Sequence, residues 1–210
     1  MGLREEKKER QRTQIYETAI RAFRSRGFDA VRVQDIVTQL RISEPTFYNY
    51  FPTKEAVLDE YALRAVEDFR TLLADLADRQ PRPPIAATVD ELMATLAAVF
   101  AQDTEFMAVV AIRSRLFWGA SGALMERELR AYDQLAALFA DAQAEGELRP
   151  DLSPHRLAET LTGAYMLAVA NWLIGWWPKQ QPLQDVLHEV GDTLLRGAMR
   201  PAGARRAQRR

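Results

Sequence analysis

Apolar residues at i, i+3, i+4 and i+7 mark one face of a short helix from Val33 to Leu40, carried by Val33, Ile36, Val37 and Leu40. That face predicts inward packing. Upstream, Ile15, Ala19 and Phe23 make the inner stripe of a helix expected from about residue 12 to Arg26, with Gly27 placed for a left-handed cap and Phe28 folding back. Downstream, the break Arg41-Ile42-Ser43 precedes a second short helix, Glu44 to Phe51, which Ser43 can cap and whose first turn accepts Pro45. Two short helices joined by such a turn are the layout of a helix-turn-helix, whose second helix enters the DNA major groove.

The helical period continues along the chain. Val57, Leu58, Tyr61, Val66, Phe69, Leu73 and Leu76 predict a long helix from Glu55 to Gln80, stopped by Pro81-Arg82-Pro83-Pro84, the clearest linker in the sequence. Ile85, Val89, Leu92, Leu96 and Val99 form the next stripe. From about Asp103 to Trp118 apolar residues cover nearly every face, which predicts a helix buried on all sides. A helix from Ser121 to about Glu145 ends at Gly146; Ser153-Pro154 opens another reaching Trp177, and the last runs from Leu183 to about Met199. No strand pattern interrupts them. The fold class is therefore all-α, with about nine helices.

Composition narrows the function. The 210 residues contain no cysteine and two histidines, which excludes disulfides and thiolate ligands and leaves no metal site expected. Without a secretory apolar segment or an apolar run of about twenty residues, a soluble cytoplasmic protein that makes no membrane contact is expected. The net charge of −1 hides an asymmetry. Residues 1–54 hold eleven Lys/Arg against seven Asp/Glu, residues 55–195 eleven against twenty-two, and residues 196–210 six Arg and no acid. Cation density thus lies with the helix-turn-helix, as a polyanionic partner requires. Enzyme signatures fail: His188-Glu189 begins a zinc motif, but Asp192 stands where its second histidine belongs, and Gly119-Ala120-Ser121-Gly122-Ala123 lacks the final glycine of a nucleophile elbow. No catalytic residue and no cofactor are expected.

The run Thr46-Phe47-Tyr48-Asn49-Tyr50-Phe51-Pro52-Thr53-Lys54-Glu55, with Ile15, Ala19, Phe23 and Arg26-Gly27-Phe28 before it, resembles the TetR family of bacterial transcriptional regulators. About fifty residues, 10 to 60, carry that likeness. It implies a three-helix DNA-binding head at 1–53, a helical ligand-binding and dimerisation domain at 54–200, and a basic, disordered tail at 201–210. Ser43, Thr46, Tyr48, Asn49 and Lys54 become the expected phosphate contacts. Base reading falls to Glu44, Pro45 and Tyr48: Glu44 can accept from a cytosine amino group or simply favour the helix N-terminus, while Pro45 and Tyr48 can touch thymine methyls. Two positions depart from the family pattern. Val31-Arg32 replaces the usual Thr or Ser cap, and Arg32 could contact phosphate instead; Arg41 replaces a turn glycine, either for its charge or at a tolerated cost. The first ten or so residues, with Lys7, Lys8, Arg10 and Arg12 among Glu5, Glu6 and Glu9, are expected to fray, as a solubilising tail or as an arm toward DNA.

The resemblance further implies a homodimer through the last two long helices, an inverted-repeat operator in double-stranded DNA, repression, and release by a small, mostly apolar inducer. Candidate pocket residues are Phe106, Met107, Val110, Arg113, Phe117, Trp118, Tyr132, Tyr165, Asn171 and Trp172, and plain core packing is the more ordinary role for the apolar and aromatic ones among them. Arg113, a cation inside the most apolar helix, can form a structural ion pair or meet an anionic ligand. The alternative reading is a DNA-bound adaptor whose larger domain binds a protein.

Overall fold

The computed structural model describes residues 2–114, 123–175 and 181–199, except the side chains of 123–128. Nine helices account for its regular structure among the described residues: α1 (Leu3–Arg26), α2 (Val33–Leu40), α3 (Glu44–Tyr50), α4 (Glu55–Ala77), α5 (Ile85–Ala101), α6 (Thr104–Arg113), α7 (Ala123–Ala144), α8 (Pro154–Leu173) and α9 (Leu183–Ala198). The fold is all-α, as the periodicity predicts.

The first helix differs from expectation, beginning at Leu3 and not near residue 12. Arg, Glu, Lys and Gln are strong helix formers, and Glu5 and Glu6 sit in the first turn where the helix dipole favours acid. Such a segment needs no apolar stripe, because it prolongs a helix that is already anchored further on. Gly27 closes α1 at φ 83° and ψ 144°, outside the left-handed helical basin but still in territory that glycine alone enters cheaply.

The chain divides into two compact units. One comprises Met1–Arg64 with the described part of Glu105–Ala120; the other comprises Ala65–Thr104 and the described part of Ser121–Arg210. The division falls inside α4, and the proline cluster lies within the second unit. Within the second unit that cluster is a fastened turn: Arg82 Nη2 donates to the Leu138 carbonyl at 2.7 Å, its Nη1 lies 3.3 Å from both Asp141 and Glu145, and Ile85 N–H donates to Glu147 at 2.8 Å. Proline ends the helix here, but arginine decides that the turn is held.

Ile15, Ala19, Phe23, Phe28, Ile36, Val37, Phe47, Phe51, Val57 and Leu58 form the first unit's core together with Phe106, Met107 and Val110 of α6. The all-sides burial expected of this last segment does not hold. One face of α6 is covered, while Ile112 is 67% exposed and Arg113 points out, its Nη2 paired with Asp29 at 3.2 Å. Residues 115–118, including the pocket candidates Phe117 and Trp118, lie outside the described residues.

In the second unit α5 packs on α9, and α8 packs on both α7 and α9. Gly191 permits the first contact, since a Cβ there would stand 3.0 Å from Val89 Cγ1 and 3.4 Å from Met93 Cγ. Gly191→Val is expected to lower stability by about 1–3 kcal/mol through overpacking, measured as a drop in thermal midpoint. An unchanged midpoint would mean that α5 and α9 do not approach this closely.

Candidate DNA-binding surface

The helix-turn-helix is built from α2 and α3. Arg32 precedes α2 without a side-chain cap, as its chemistry dictates, but Asp35 accepts from the Arg32 N–H at 3.0 Å and Arg26 approaches that carboxylate at 3.5 Å. Half of a capping box therefore survives the loss of the usual hydroxyl. Arg41 adopts φ 55° and ψ 43°, the left-handed conformation, which costs a residue bearing a Cβ about 1 kcal/mol. The strain closes the turn: Arg41 N–H donates to the Thr38 carbonyl at 3.2 Å and Ile42 N–H to the Val37 carbonyl at 3.0 Å.

Ser43 then starts α3. Its Oγ accepts from Thr46 N–H at 3.3 Å and lies 2.8 Å from Thr46 Oγ1, and Pro45 occupies the first turn. Phe47 is fully buried and Phe51 nearly so, fixing which way the helix is turned. Glu44, Pro45, Tyr48 and Asn49 are consequently exposed together, at i, i+1, i+4 and i+5, with Tyr48 44% exposed and its ring edge-on to Phe47 at 5.5 Å. Exposed Arg32, Arg41 and Ser43 and half-buried Thr46 complete the set that the sequence nominates for DNA.

Lys54 behaves otherwise. Its ammonium donates to the carbonyls of Phe28 at 2.7 Å and Val31 at 3.0 Å and lies 4.1 Å from the Phe28 ring centroid. Two of its three donors are spent inside the protein, so its first role is to hold the α1–α2 connection. Two charge-assisted bonds and a ring face hold the ammonium here, and the phosphate contact expected of it would use the third donor.

Arg12, expected in the fraying arm, is instead fixed within α1. Arg12 continues the inner stripe of Ile15, Ala19 and Phe23 one turn back, and that phase was the available signal. Its guanidinium donates to the Tyr50 carbonyl at 3.0 Å and to Glu60 Oε2 at 2.8 Å, with Cζ 4.6 Å from the Phe51 ring centroid. Burial pushes the Glu60 carboxyl up, but hydrogen bonds and charge from Arg12 and Arg64 outweigh it and hold the group below its ordinary range. The pair's contribution to stability is thus present above the usual carboxylate pKa and fades as pH falls through the lowered one. Beside it burial drives the Tyr16 phenol up to about 12, leaving a neutral ring under Arg64 at 4.0 Å.

The eight described pocket candidates do not gather in one unit. Phe106 and Met107 pack against Tyr61, with the ring pair at 5.1 Å and Tyr61 OH 3.6 Å from the Met107 sulfur; Val110 is fully buried. Core packing is the role this geometry gives all three. Arg113 takes the structural option, pairing with Asp29. In the second unit Tyr165 lies 6.3 Å from the Phe69 ring, Trp172 Nε1–H donates to the Gln181 carbonyl at 3.0 Å, and Tyr132 and Asn171 are half-buried. The same unit buries two polar atoms, Arg70 Nε and Gln134 Oε1, without a hydrogen-bond partner among the described residues. Neither stood out in the sequence.

A family model for "Bacterial regulatory proteins, tetR family" matches residues 15–61, the stretch from the inner stripe of α1 into α4. The fold is similar to that of Thermus thermophilus FadR, a TetR family transcriptional repressor solved in complex with lauroyl-CoA: TM-score 0.70, 27% identity, 91% of this chain and 97% of that one. Bacillus subtilis FadR, solved with stearoyl-CoA, has the same fold at TM-score 0.66 and 16% identity, over 88% and 98% of the two chains. In sequence the chain is 24% identical to the transcriptional repressor DhaR of Mycobacterium sp. (strain GP1) over 188 residues, 88% of this chain and 92% of that protein.

Tyr48 and Lys54 should separate in experiment. Tyr48→Ala is expected to weaken duplex binding at fixed salt while the melting of the free protein stays unchanged. Lys54→Ala is expected to destabilise the fold by about 1–3 kcal/mol, since two carbonyls lose their donor. A Lys54→Ala chain of wild-type stability that binds DNA poorly would make phosphate contact the first role of Lys54.

Proposed function

The chain belongs to the TetR family of bacterial regulatory proteins, and on that premise we propose a cytoplasmic homodimeric repressor that binds an inverted-repeat operator and leaves it when a small, mostly apolar inducer binds. One observation carries the reading: a capped, two-turn helix is plugged inward by Phe47 and presents Glu44, Pro45, Tyr48 and Asn49 on one outward face. That face suits a major groove, with Ser43, Thr46, Arg32 and Arg41 at its margin for phosphates. No Arg or Lys lies within α3 to read guanine in a bidentate manner, so part of the specificity rests on DNA shape.

The proposed division of labour gives DNA to residues 1–53, inducer and dimerisation to 54–200, and a solvated basic tail to 201–210. Support for the dimer comes from the outward face of α8. Thr160, Gly163, Leu167 and Ile174 recur at helical spacing, all exposed, and Gly163 has no atom within 4 Å of an added Cβ. Such a face, apolar and partly small, lets a second copy approach closely around a twofold axis, and twofold symmetry is what an inverted repeat requires.

Support for the inducer is of two kinds. A neighbour of 27% identity is solved with lauroyl-CoA, an acyl chain on an anionic carrier. The orphaned Arg70 Nε and Gln134 Oε1 suit the polar end of such a ligand, because an unmade buried bond costs about 1–3 kcal/mol until something makes it. Inducer would act by preferring the conformation whose two heads no longer match successive half-sites.

Selection from a random duplex pool at two salt concentrations tests the whole. An inverted repeat retained at the higher salt is the expected result; loss of all binding as salt rises would leave only non-specific affinity and favour the protein-binding adaptor. Leu167→Glu should in turn convert the dimer to a folded monomer in sedimentation, at a cost in operator affinity. If the variant stays dimeric, α8 is not the interface.

A further inference from the structure

Helix α3 is seven residues long, so its own hydrogen bonds cannot keep it folded or aimed. Ser43 satisfies its N-terminal end, but the carbonyls of its last turn have no partner within the helix. Tyr50 O finds one in Arg12 Nη1 at 3.0 Å, and the Tyr50 hydroxyl donates to Gln11 Oε1 at 3.0 Å. Both donor and acceptor side chains come from adjacent positions on α1. Arg12 is itself held on two sides, by the Phe51 ring beneath it and by Glu60 of α4, whose other oxygen accepts from Arg64 Nε at 3.1 Å.

We propose that Arg12 and Glu60 form a clamp that positions the recognition helix, with Glu60 keeping the Arg12 guanidinium on the Tyr50 carbonyl and away from DNA phosphate. The inference rests on the DNA-binding reading above and adds two positioning residues to it. An arginine suits the place because one planar fork can donate to a carbonyl, donate to a carboxylate and lie over a ring at the same time; an ammonium cannot do all three. Glu60 matters because an arginine so near a polyanion has a competing partner. Without the carboxylate the guanidinium can swing to phosphate, and the end of α3 loses its anchor.

The clamp has a consequence of unexpected sign. Removing an acid from a DNA-binding head ordinarily tightens binding to every duplex, since the local potential becomes more positive. If Glu60 positions α3, Glu60→Gln must instead weaken specific binding.

The test uses the full chain, the duplex it selects and an unrelated duplex of equal length, each at several salt concentrations. Glu60→Gln is expected to lose about tenfold in affinity for the selected duplex, the size of one lost coupling. Its affinity for the unrelated duplex and its salt slope should match wild type. Arg12→Lys, which keeps the charge but not the fork, should lose a similar factor, and the double variant little more than either alone. Thermal midpoints of the free proteins accompany each measurement, and an unfolded Glu60→Gln chain would be read through Arg12→Lys. Tighter or unchanged binding by Glu60→Gln to both duplexes would overturn the clamp, leaving the acid a mere source of repulsion. Wild-type behaviour of Arg12→Lys, together with a salt slope reduced by about one in Arg12→Ala, would also overturn it and make Arg12 a phosphate contact. A wild-type chain that selects no duplex would sink the DNA-binding reading itself, not the clamp alone.

Discussion

A two-turn helix cannot hold its own conformation in water, and the first unit is arranged around that constraint. Cutting the helix loose would leave seven residues whose few internal bonds do not repay the entropy of ordering them. Phe47 and Phe51 bind it to the core by burial, Ser43 closes its first turn, and Arg12 and Gln11 take hold of Tyr50 at its last. Lys54 performs a related service one layer behind by tying the Phe28 and Val31 carbonyls, which fixes where α2 begins. The side chains left over, Glu44, Pro45, Tyr48 and Asn49, face outward because the inward directions are already taken.

Cations in this unit are consequently of two kinds, and net charge alone would not separate them. Arg32 and Arg41 are exposed at the margin of the outward face, where a polyanion can reach them. Arg12, Lys54 and Arg113 are occupied by carbonyls, carboxylates and the rings of Phe51 and Phe28. The second unit follows a different logic, in which helices approach through small residues. Gly191 admits α5 to α9 inside the chain, whereas Gly163 stands open on the outer face of α8, with nothing within 4 Å of an added Cβ. The same unit keeps two buried polar atoms, Arg70 Nε and Gln134 Oε1, without a partner among the described residues.

Much of this was legible where the determinant is local. The stripe Val33, Ile36, Val37, Leu40 places α2 to within a residue, and Ser43-Glu44-Pro45 reads directly as a cap and first turn. The positive φ at Arg41 follows from its place in the turn. What escaped depends on partners distant in sequence. Arg12 meets Tyr50 and Glu60 across 38 and 48 residues, and Lys54 meets Phe28 across 26, separations at which no periodicity speaks. A second kind of miss came from treating apolar pattern as the whole signal. The start of α1 has high intrinsic propensity and no stripe, so it read as frayed. The α6 segment has apolar residues all round, so Ile112 read as buried, although the first unit covers one face only. Proline at 81, 83 and 84 read as a linker because nothing local reveals that Arg82 fastens the turn to α7.

The outward face of α3 is held from behind by its own protein before any DNA arrives. Native-state amide hydrogen exchange on the free protein tests it most directly, through the N–H groups of Phe47 and Phe51 that donate to the Ser43 and Phe47 carbonyls. Both amides should be protected to a degree comparable with those of α2 and change little when duplex is added. Fast exchange at both, with protection appearing only in the presence of DNA, would mean that α3 folds on its target, and the account of a helix held in place by its own protein would be wrong.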